Sequence, residues 1–373
     1  MNILALESYY GGSHKAFIDG LSKVSKHNWT ILTLPANKWK WRMRHSAITF
    51  AQQVSEALEK GQVWDMIFCS DMLNLAEFVA LVPIEIASLP KVIYFHENQL
   101  TYPVRVEDER DYQFAMTNLT SALAADAVWF NSQFHRDSFL EALVKFLKSM
   151  PDYQLIREVE RIRDKSSVYP PGIEDFPQRP SRKSGPIRIL WAARWEHDKN
   201  PEDFFAALEI LKNNNIRFEI SVIGQSFRDQ PEIFEKAKIR FIDNIIQWGY
   251  QESRDEYVNS LLDADVIVST ANHEFFGLSI LEAVAAGVYP LVPNRLSYPE
   301  ILGPGGNEGA ENFFYDGTVR DLAHKLNNLS AQIQTDKLWP VAINPQRLTE
   351  RFKWSNVVSQ YDSAFEEICR SCD

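Results

Sequence analysis

Cysteine is scarce: three in 373 residues, an odd number in a long chain, which argues against a disulfide framework and for a reducing compartment. Long apolar runs are missing too. None approaches the roughly 20 residues needed to cross a bilayer, so membrane insertion has no support. Positive charge is in deficit, with 39 Lys and Arg against 50 Asp and Glu and a formal net charge of −11. That balance is unfavourable for broad phosphate binding, so any nucleic-acid partner must be met locally. The opening Met1-Asn2-Ile3-Leu4-Ala5-Leu6-Glu7 has neither a basic start nor a small-residue cleavage site. It reads as a first buried strand, and a cytoplasmic location is expected. The tail Cys369-Arg370-Ser371-Cys372 has the spacing of half a zinc site, with no second pair to complete it, so no metal is expected.

What is present is apolar material, 45% of the chain against 24% charged residues, enough for two cores. Strand-like runs alternate with helix-like segments at Ile3 to Leu6, Trp29 to Leu34, Met66 to Cys69, Val92 to Phe95, Ala127 to Asn131 and Ser167 to Tyr169. After a Pro-, Arg- and Ser-rich stretch the pattern restarts at Ile187 to Ala192, Phe218 to Ile223, Ile245 to Tyr250, Asp265 to Ser269, Val288 to Val292 and Asn312 to Tyr315. This predicts an α/β protein of two parallel sheets with crossover helices, residues 1–170 and 187–353, joined by a linker over 171–186. The periodic segment after Trp354 either finishes the second domain or crosses back onto the first. Ligands of open α/β sheets bind outside the carboxyl ends of the strands, so a cleft between the two sheets is the default active site.

The segment Glu274-Phe275-Phe276-Gly277-Leu278-Ser279-Ile280-Leu281-Glu282 follows a strand and opens an apolar helix. Gly277 lets backbone N–H groups at the helix N-terminus approach a diphosphate, where the dipole favours negative charge. Glu274 and Glu282 do not belong beside phosphates and are better used accepting hydrogen bonds from sugar hydroxyls, one on a transferred sugar and one on a ribose. Taken alone, an acidic turn before an ordinary helix explains the same residues. With Ala283, Ala286 and Gly287, however, this segment resembles the two-glutamate signature of the retaining family 4 glycosyltransferases. A second resemblance lies at Trp191-Ala192-Ala193-Arg194-Trp195-Glu196-His197-Asp198-Lys199-Asn200, where Arg194 and Lys199 match that family's phosphate-binding pair. Their work would be to neutralise charge on the leaving diphosphate without a metal ion. The resemblance implies a GT-B fold, two Rossmann-like domains with parallel sheets facing across a cleft, and a C-terminal helix, 354–373, packed back on the first domain. Phe276, Gly277 and Leu278 join Glu274 and Glu282 as donor-binding residues.

In the first half, Ser8-Tyr9-Tyr10-Gly11-Gly12-Ser13-His14-Lys15 lies between the first strand and a helix that Ser13 can cap. Gly11 and Gly12 permit close backbone approach to the donor, although two glycines in such a turn are common. His96, in Tyr94-Phe95-His96-Glu97-Asn98-Gln99, matches the histidine that family 4 enzymes hold near the donor sugar; a satisfied structural histidine is the alternative. Lys38-Trp39-Lys40-Trp41-Arg42-Met43-Arg44-His45 interleaves cations and aromatics in an acidic protein. Cations meet phosphates and tryptophans stack on unpaired bases, while a snorkelling basic edge over packed tryptophans gives the same composition.

Leu6 to Lys15, Leu34 to Arg44 and Phe95-His96-Glu97-Asn98-Gln99-Leu100 together resemble the tRNA-queuosine alpha-mannosyltransferase family, and the resemblance runs over essentially the whole chain. It implies GDP-mannose as donor and the cyclopentenediol of queuosine in tRNA(Asp) as acceptor, and it gives Lys38, Trp39, Lys40, Trp41, Arg42 and Arg44 a role in gripping an anticodon loop. His96, Arg194, Lys199 and Glu274 are then the catalytic set, with no cofactor. Two rivals remain: a family 4 enzyme with another donor or a lipid or glycan acceptor, and an inactive module that binds tRNA or a nucleotide sugar.

Overall fold

A computed structural model describes residues 1–103, 111–182, 184–226, 230–303, 309–333, 338–339 and 343–372. The chain divides into two compact units, Met1–Glu174 with Phe352–Asp373, and Asp175–Arg351.

In the first unit every expected apolar run becomes a strand: β1 (Asn2–Tyr10), β2 (Asn28–Pro35), β3 (Met66–Ser70), β4 (Lys91–Phe95), β5 (Ala127–Phe130) and β6 (Ser166–Val168). They form one parallel sheet in the order β2-β1-β3-β4-β5-β6. Successive residues of β1 feed opposite faces. Leu4 and Leu6 enter one core with Ile67, Ile93 and Phe95, while Ile3 and Ala5 enter another with Phe17, Phe68 and Tyr94. Burial on both faces is why these strands read as unbroken apolar runs.

The second unit repeats the plan with β7 (Ile187–Ala192), β8 (Phe218–Ile223), β9 (Ile245–Gly249), β10 (Val266–Val268), β11 (Tyr289–Pro293) and β12 (Phe314–Tyr315), in the order β12-β11-β10-β7-β8-β9. The last strand is shorter than expected because Ala310–Phe313 forms a 3-10 turn.

The segment 171–186 is not a free tether at either end. Ile173 donates its N–H to the Phe352 carbonyl and accepts from the Trp354 N–H. Farther on, Arg182 reaches Asp265 at 2.9 Å through Nε, and Arg179 Nη2 reaches it at 3.2 Å. Asp265 is buried and also accepts the Arg188 N–H. A buried carboxylate needs such donors, so it holds the preceding segment against the second sheet.

The Trp354–Cys372 helix belongs to the first unit. Its Trp354, Val357, Tyr361 and Phe365 share a core with Ile3, Phe17, Phe68 and Trp129. Two glycines admit the Trp354 indole: a Cβ on Gly20 would lie 2.3 Å from its Nε1, and one on Gly172 2.1 Å from its Cδ2. Asp362, on the same helix, accepts from Ser25 Oγ at 2.6 Å and from the Lys26 N–H at 3.0 Å. Cys69 is buried in the first core, and the side chain of Cys372, half of the zinc-like spacing, lies outside the described residues. Among the described residues no helix is long and apolar enough to cross a membrane.

Candidate active site

Strand order locates a ligand crevice in each unit. In the first sheet the chain passes from β1 to β2 on one side and then to β3 on the other, so the winding direction switches between β1 and β3. In the second the switch falls between β7 and β10. Helices that leave on opposite faces at a switch open a crevice beyond the strand ends.

In the second unit Arg194 and Lys199 follow β7, and Glu274 follows β10. Lys199 is buried, and its Nζ donates to the His273 carbonyl at 2.9 Å and to Glu274 Oε2 at 3.2 Å, with Asp198 Oδ2 at 3.3 Å. Burial works against the ammonium, but Glu274 and Asp198 outweigh it and hold its pKa above the ordinary lysine value. Burial likewise opposes the Glu274 carboxylate, and Lys199 reverses the balance, so that carboxyl titrates below its ordinary range. Burial and then Lys199 push His273 down to about 4, leaving a neutral imidazole. Lys199 and Glu274 line one pocket with Ser269, Ser279, Ile280 and Tyr298.

The loop carrying Glu274 is tied from behind. Tyr298 Oη and Ser269 Oγ are 2.6 Å apart, Tyr315 Oη donates to the Ser269 carbonyl, and Ser297 Oγ donates to the Phe276 carbonyl. Phe275 and Phe276 are buried, so Phe276 can offer a ligand only its backbone. Gly277 caps the Leu278–Ala285 helix at φ 92°, where a Cβ would also meet Tyr298 Cε1 at 3.0 Å. Leu278 is partly buried at the first helical position.

Two donor-site residues have protein contacts that the sequence does not predict. Arg194, read as half of a phosphate-binding pair with Lys199, lies 3.3 Å from Glu196 with its side chain 42% exposed. Its charge nevertheless opposes the protonated forms of both Lys199, whose pKa stays raised, and His273. Glu282 is absent from the Lys199 pocket lining. Instead its carboxylate accepts from Arg254 Nη2 at 2.7 Å and from Tyr257 Oη at 2.8 Å. Sequence reasoning missed both partners. Ser253 and Glu256 form the capping box that starts their helix, Arg254–Asp263, and that signal is legible, but nothing local aims Arg254 at a glutamate 28 residues away.

In the first unit the cap is Gly11, not Ser13: the helix starts at Gly12, with no side-chain cap bond. Gly11 is required by packing, since its Cβ would lie 2.4 Å from Ala36 Cβ, and Gly12 sits at φ 53° with open space around it. Beneath this turn Glu7 Oε1 accepts from the Tyr9 N–H at 2.8 Å and from Ser70 Oγ at 3.0 Å, and lies 3.2 Å from His14 Nδ1. Burial disfavours the His14 imidazolium, but Glu7 more than offsets this and lifts it to about 9. The His14 and His96 ring centroids are 4.0 Å apart. Burial first, then the charges of His14 and His135, hold His96 well below the ordinary histidine value. Its N–H donates to Asp71 Oδ1 and its carbonyl accepts from Asn131 Nδ2. Asp71 is fully buried, which raises its carboxyl. Glu7, His14 and His96 each bring one ligand atom within 4.8 Å of the others, a grouping the sequence reading did not anticipate. Glu7 and His14 lie within the quoted run Leu6 to Lys15 and Asp71 just after the run Met66 to Cys69, but no spacing rule singles them out.

The basic-aromatic segment caps and opens the Trp39–Glu59 helix, with Lys38 in the left-handed conformation at its N-cap. Trp39 packs on Phe114 at 5.1 Å and Arg44 covers the same ring at 4.7 Å. Lys40 lies over Trp39, and Arg42 is tied to the Pro35 carbonyl and Asn37. Trp41 is 60% exposed, beside His45. Lys38, Lys40 and Arg44 are also exposed.

Residues 2–173 match the family described as tRNA-queuosine alpha-mannosyltransferase N-terminal, and residues 172–337 match glycosyl transferases group 1. The Drosophila melanogaster tRNA-queuosine alpha-mannosyltransferase is 40% identical over 339 residues, covering 88% of this chain and 86% of that protein. Among solved structures, sucrose-phosphate synthase from Thermosynechococcus elongatus superposes with a TM-score of 0.71 at 14% identity over 100% of both chains. Anabaena HepE in complex with UDP and glucose gives 0.66 at 14%, over 98% of this chain and 99% of that one. At such identities the likeness speaks for the fold alone, which is GT-B. With a relative at 40% identity along most of both chains and a glycosyltransferase second half, the chain belongs to the tRNA-queuosine alpha-mannosyltransferase family.

Proposed function

We propose that the chain transfers mannose from GDP-mannose to the cyclopentenediol of queuosine in tRNA(Asp), with retention at the sugar. The observation that carries transferase chemistry is the Lys199–Glu274 contact at the switch point of the second sheet, a cation beside a carboxylate where a nucleotide sugar binds. Lys199 and the half-exposed Arg194 meet the diphosphate, Glu274 the mannose hydroxyls and Glu282 the ribose. Gly277 and Leu278 supply backbone N–H groups. Gly12 and His96 keep the roles expected of them toward the diphosphate and the transferred sugar, and Lys38, Lys40, Trp41 and Arg44 grip the tRNA.

The C1–O bond to the diphosphate breaks as GDP leaves. A new C1–O bond forms to the queuosine hydroxyl on the same face, and the hydroxyl proton passes to the leaving phosphate oxygen. No carboxylate nucleophile is needed, so the paired-carboxylate logic of retaining hydrolases does not apply. Charge on departing GDP is met by Arg194 and Lys199, and the reaction runs without a metal cofactor. Its tRNA substrate favours a cytoplasmic location.

The test is incubation of the purified protein with GDP-mannose and, separately, UDP-glucose, each with queuosine-containing and queuosine-lacking tRNA, followed by nucleoside mass analysis. Hexose on queuosine alone, from GDP-mannose alone, is expected. Donor hydrolysis without transfer to either tRNA would refute the acceptor and favour a lipid or glycan instead. Neither hydrolysis nor transfer would favour a binding module.

A further inference from the structure

The crevice of the first unit holds more ionisable machinery than the transfer reaction uses. Glu7 is the hub: three donors from three places, the Tyr9 N–H, Ser70 Oγ and His14 Nδ1, converge on one carboxylate oxygen. They fix it at the end of β1, and a carboxylate so held orients whatever ring it contacts. That ring is His14, buried, with the edge of the Tyr9 ring on one side at 5.9 Å and His96 against it at 4.0 Å. His96 is enclosed further by Tyr94 at 4.7 Å and by the edge of Phe17 at 5.0 Å. Its backbone is pinned between Asp71 and Asn131. Its imidazole has few ways to turn.

We propose that Glu7 and His14 are positioning residues that aim the His96 imidazole at its substrate. This rests on the reading that His96 serves the transfer. The pair also sets charge. Around His14 stand Glu7 from β1, Asp71 from the segment after β3, and His96 and Glu97 from the segment after β4. Around His96 stand His14 and, from the Gln133–Lys148 helix, His135. Glu7 keeps the proton on His14, and burial together with that cation keeps a second proton off His96. Two adjacent histidines thus carry different charges at neutral pH: a fixed imidazolium and a neutral ring able to hydrogen-bond a hydroxyl.

The experiment is an NMR titration of the eight imidazoles in the intact chain without substrate, for the parent, Glu7→Gln, His14→Gln and the double variant, alongside turnover on queuosine tRNA. His14 and His96 signals are identified by their loss in His14→Gln and His96→Gln. One imidazole is expected to stay protonated to about pH 9 in the parent and to fall by at least about one pH unit in Glu7→Gln, the usual effect of removing an opposite charge within contact distance. His96 is expected to titrate higher in His14→Gln, which removes the neighbouring cation, and not in Glu7→Gln, where His14 stays protonated through the His96 range. Both single variants should lose kcat on the order of 10²-fold, the usual cost of misplacing a group at the reacting centre, with the KM for each substrate little changed. The double variant should be no worse than either single one, as for residues acting as a unit.

An unmoved His14 titration in Glu7→Gln, or losses that multiply in the double variant, would overturn the proposal. So would a zinc titration that locks all three side chains at stoichiometric metal, because the cluster would then be a metal site. If Glu7→Gln fails to fold, His14→Gln answers the same question. A parent that titrates as described yet transfers nothing to queuosine tRNA would defeat the acceptor assignment and leave the pair standing.

Discussion

Lys199 and Glu274 lie 75 residues apart in sequence and 3.2 Å apart in space, one following β7 and the other following β10. Their side chains are 11% and 26% exposed, so the pair is shielded enough for each charge to depend on the other. Lys199→Met should cut turnover on the order of 10²-fold or more through loss of charge stabilisation. It should also destabilise the second unit by about 3 kcal/mol, since Glu274 is left half-buried and uncompensated. Pairing Lys199→Met with Glu274→Gln should recover part of the denaturant midpoint, since the Asp198 side chain, 7% exposed, still lacks its cation, and none of the activity.

Arg194→Ala should act on chemistry with less structural cost, because its side chain is 42% exposed against 11% for Lys199. Its turnover should fall on the order of 10²-fold while the melting temperature moves little. Near-normal turnover would remove Arg194 from the phosphate site.

Tyr257→Phe deletes a hydroxyl that holds Glu282 at 2.8 Å. If Glu282 serves the ribose, the donor KM should rise about tenfold, the worth of one hydrogen bond to a charged group, while kcat stays nearly constant. A fall in kcat at constant KM would assign Glu282 to the reacting sugar.

Stability should decline on the alkaline side. The folded-state pKa of His14, about 9, lies above its ordinary value of about 6.5. Its contribution is therefore complete below about 6.5 and is lost as pH rises through 9. Asp71, whose buried carboxyl is raised, acts in the same direction, because its ionised form is the costly one and is populated as pH rises. Thermal melts between pH 6.5 and 9.5 should show a falling midpoint in the parent and a flatter course in His14→Gln.

Two tryptophans in one basic segment should separate cleanly. Trp41→Ala should weaken tRNA binding by about 1–3 kcal/mol with the fold intact, as expected for a lost stacking platform. Trp39→Ala should lower stability, because that ring is packed on Phe114. Affinity should fall steeply with salt in the parent, and less steeply once Lys40 and Arg44 are removed. Filter binding over a salt series reads both effects.

The strands were legible because a doubly covered parallel strand is a continuous apolar run, as in Ile3-Leu4-Ala5-Leu6 and Ile189-Leu190-Trp191, all buried. Glu274, Arg194 and Lys199 were legible because a motif marks them. The partners that complete the site were not, because they meet only after folding. Arg254 reaches Glu282 across 28 residues, and Ser70 reaches Glu7 across 63. Asp265 turned an expected linker into an anchored segment by contacts 83 and 86 residues long. The Ser13 cap failed for a local reason: Gly11 and Gly12 let the helix begin earlier than a side-chain cap would.

The first unit is built from both ends of the chain. Its core includes Trp354, Tyr361 and Phe365, which close over Phe17, Phe68 and Trp129, while the whole stretch Asp175–Arg351 belongs elsewhere. On a ribosome adding about 5–20 residues each second, that apolar face would wait on the order of ten seconds or longer for its cover. The face stays uncovered for an interval set by the length of the inserted unit, and a stall within that unit would leave a complete first sheet with one apolar face bare.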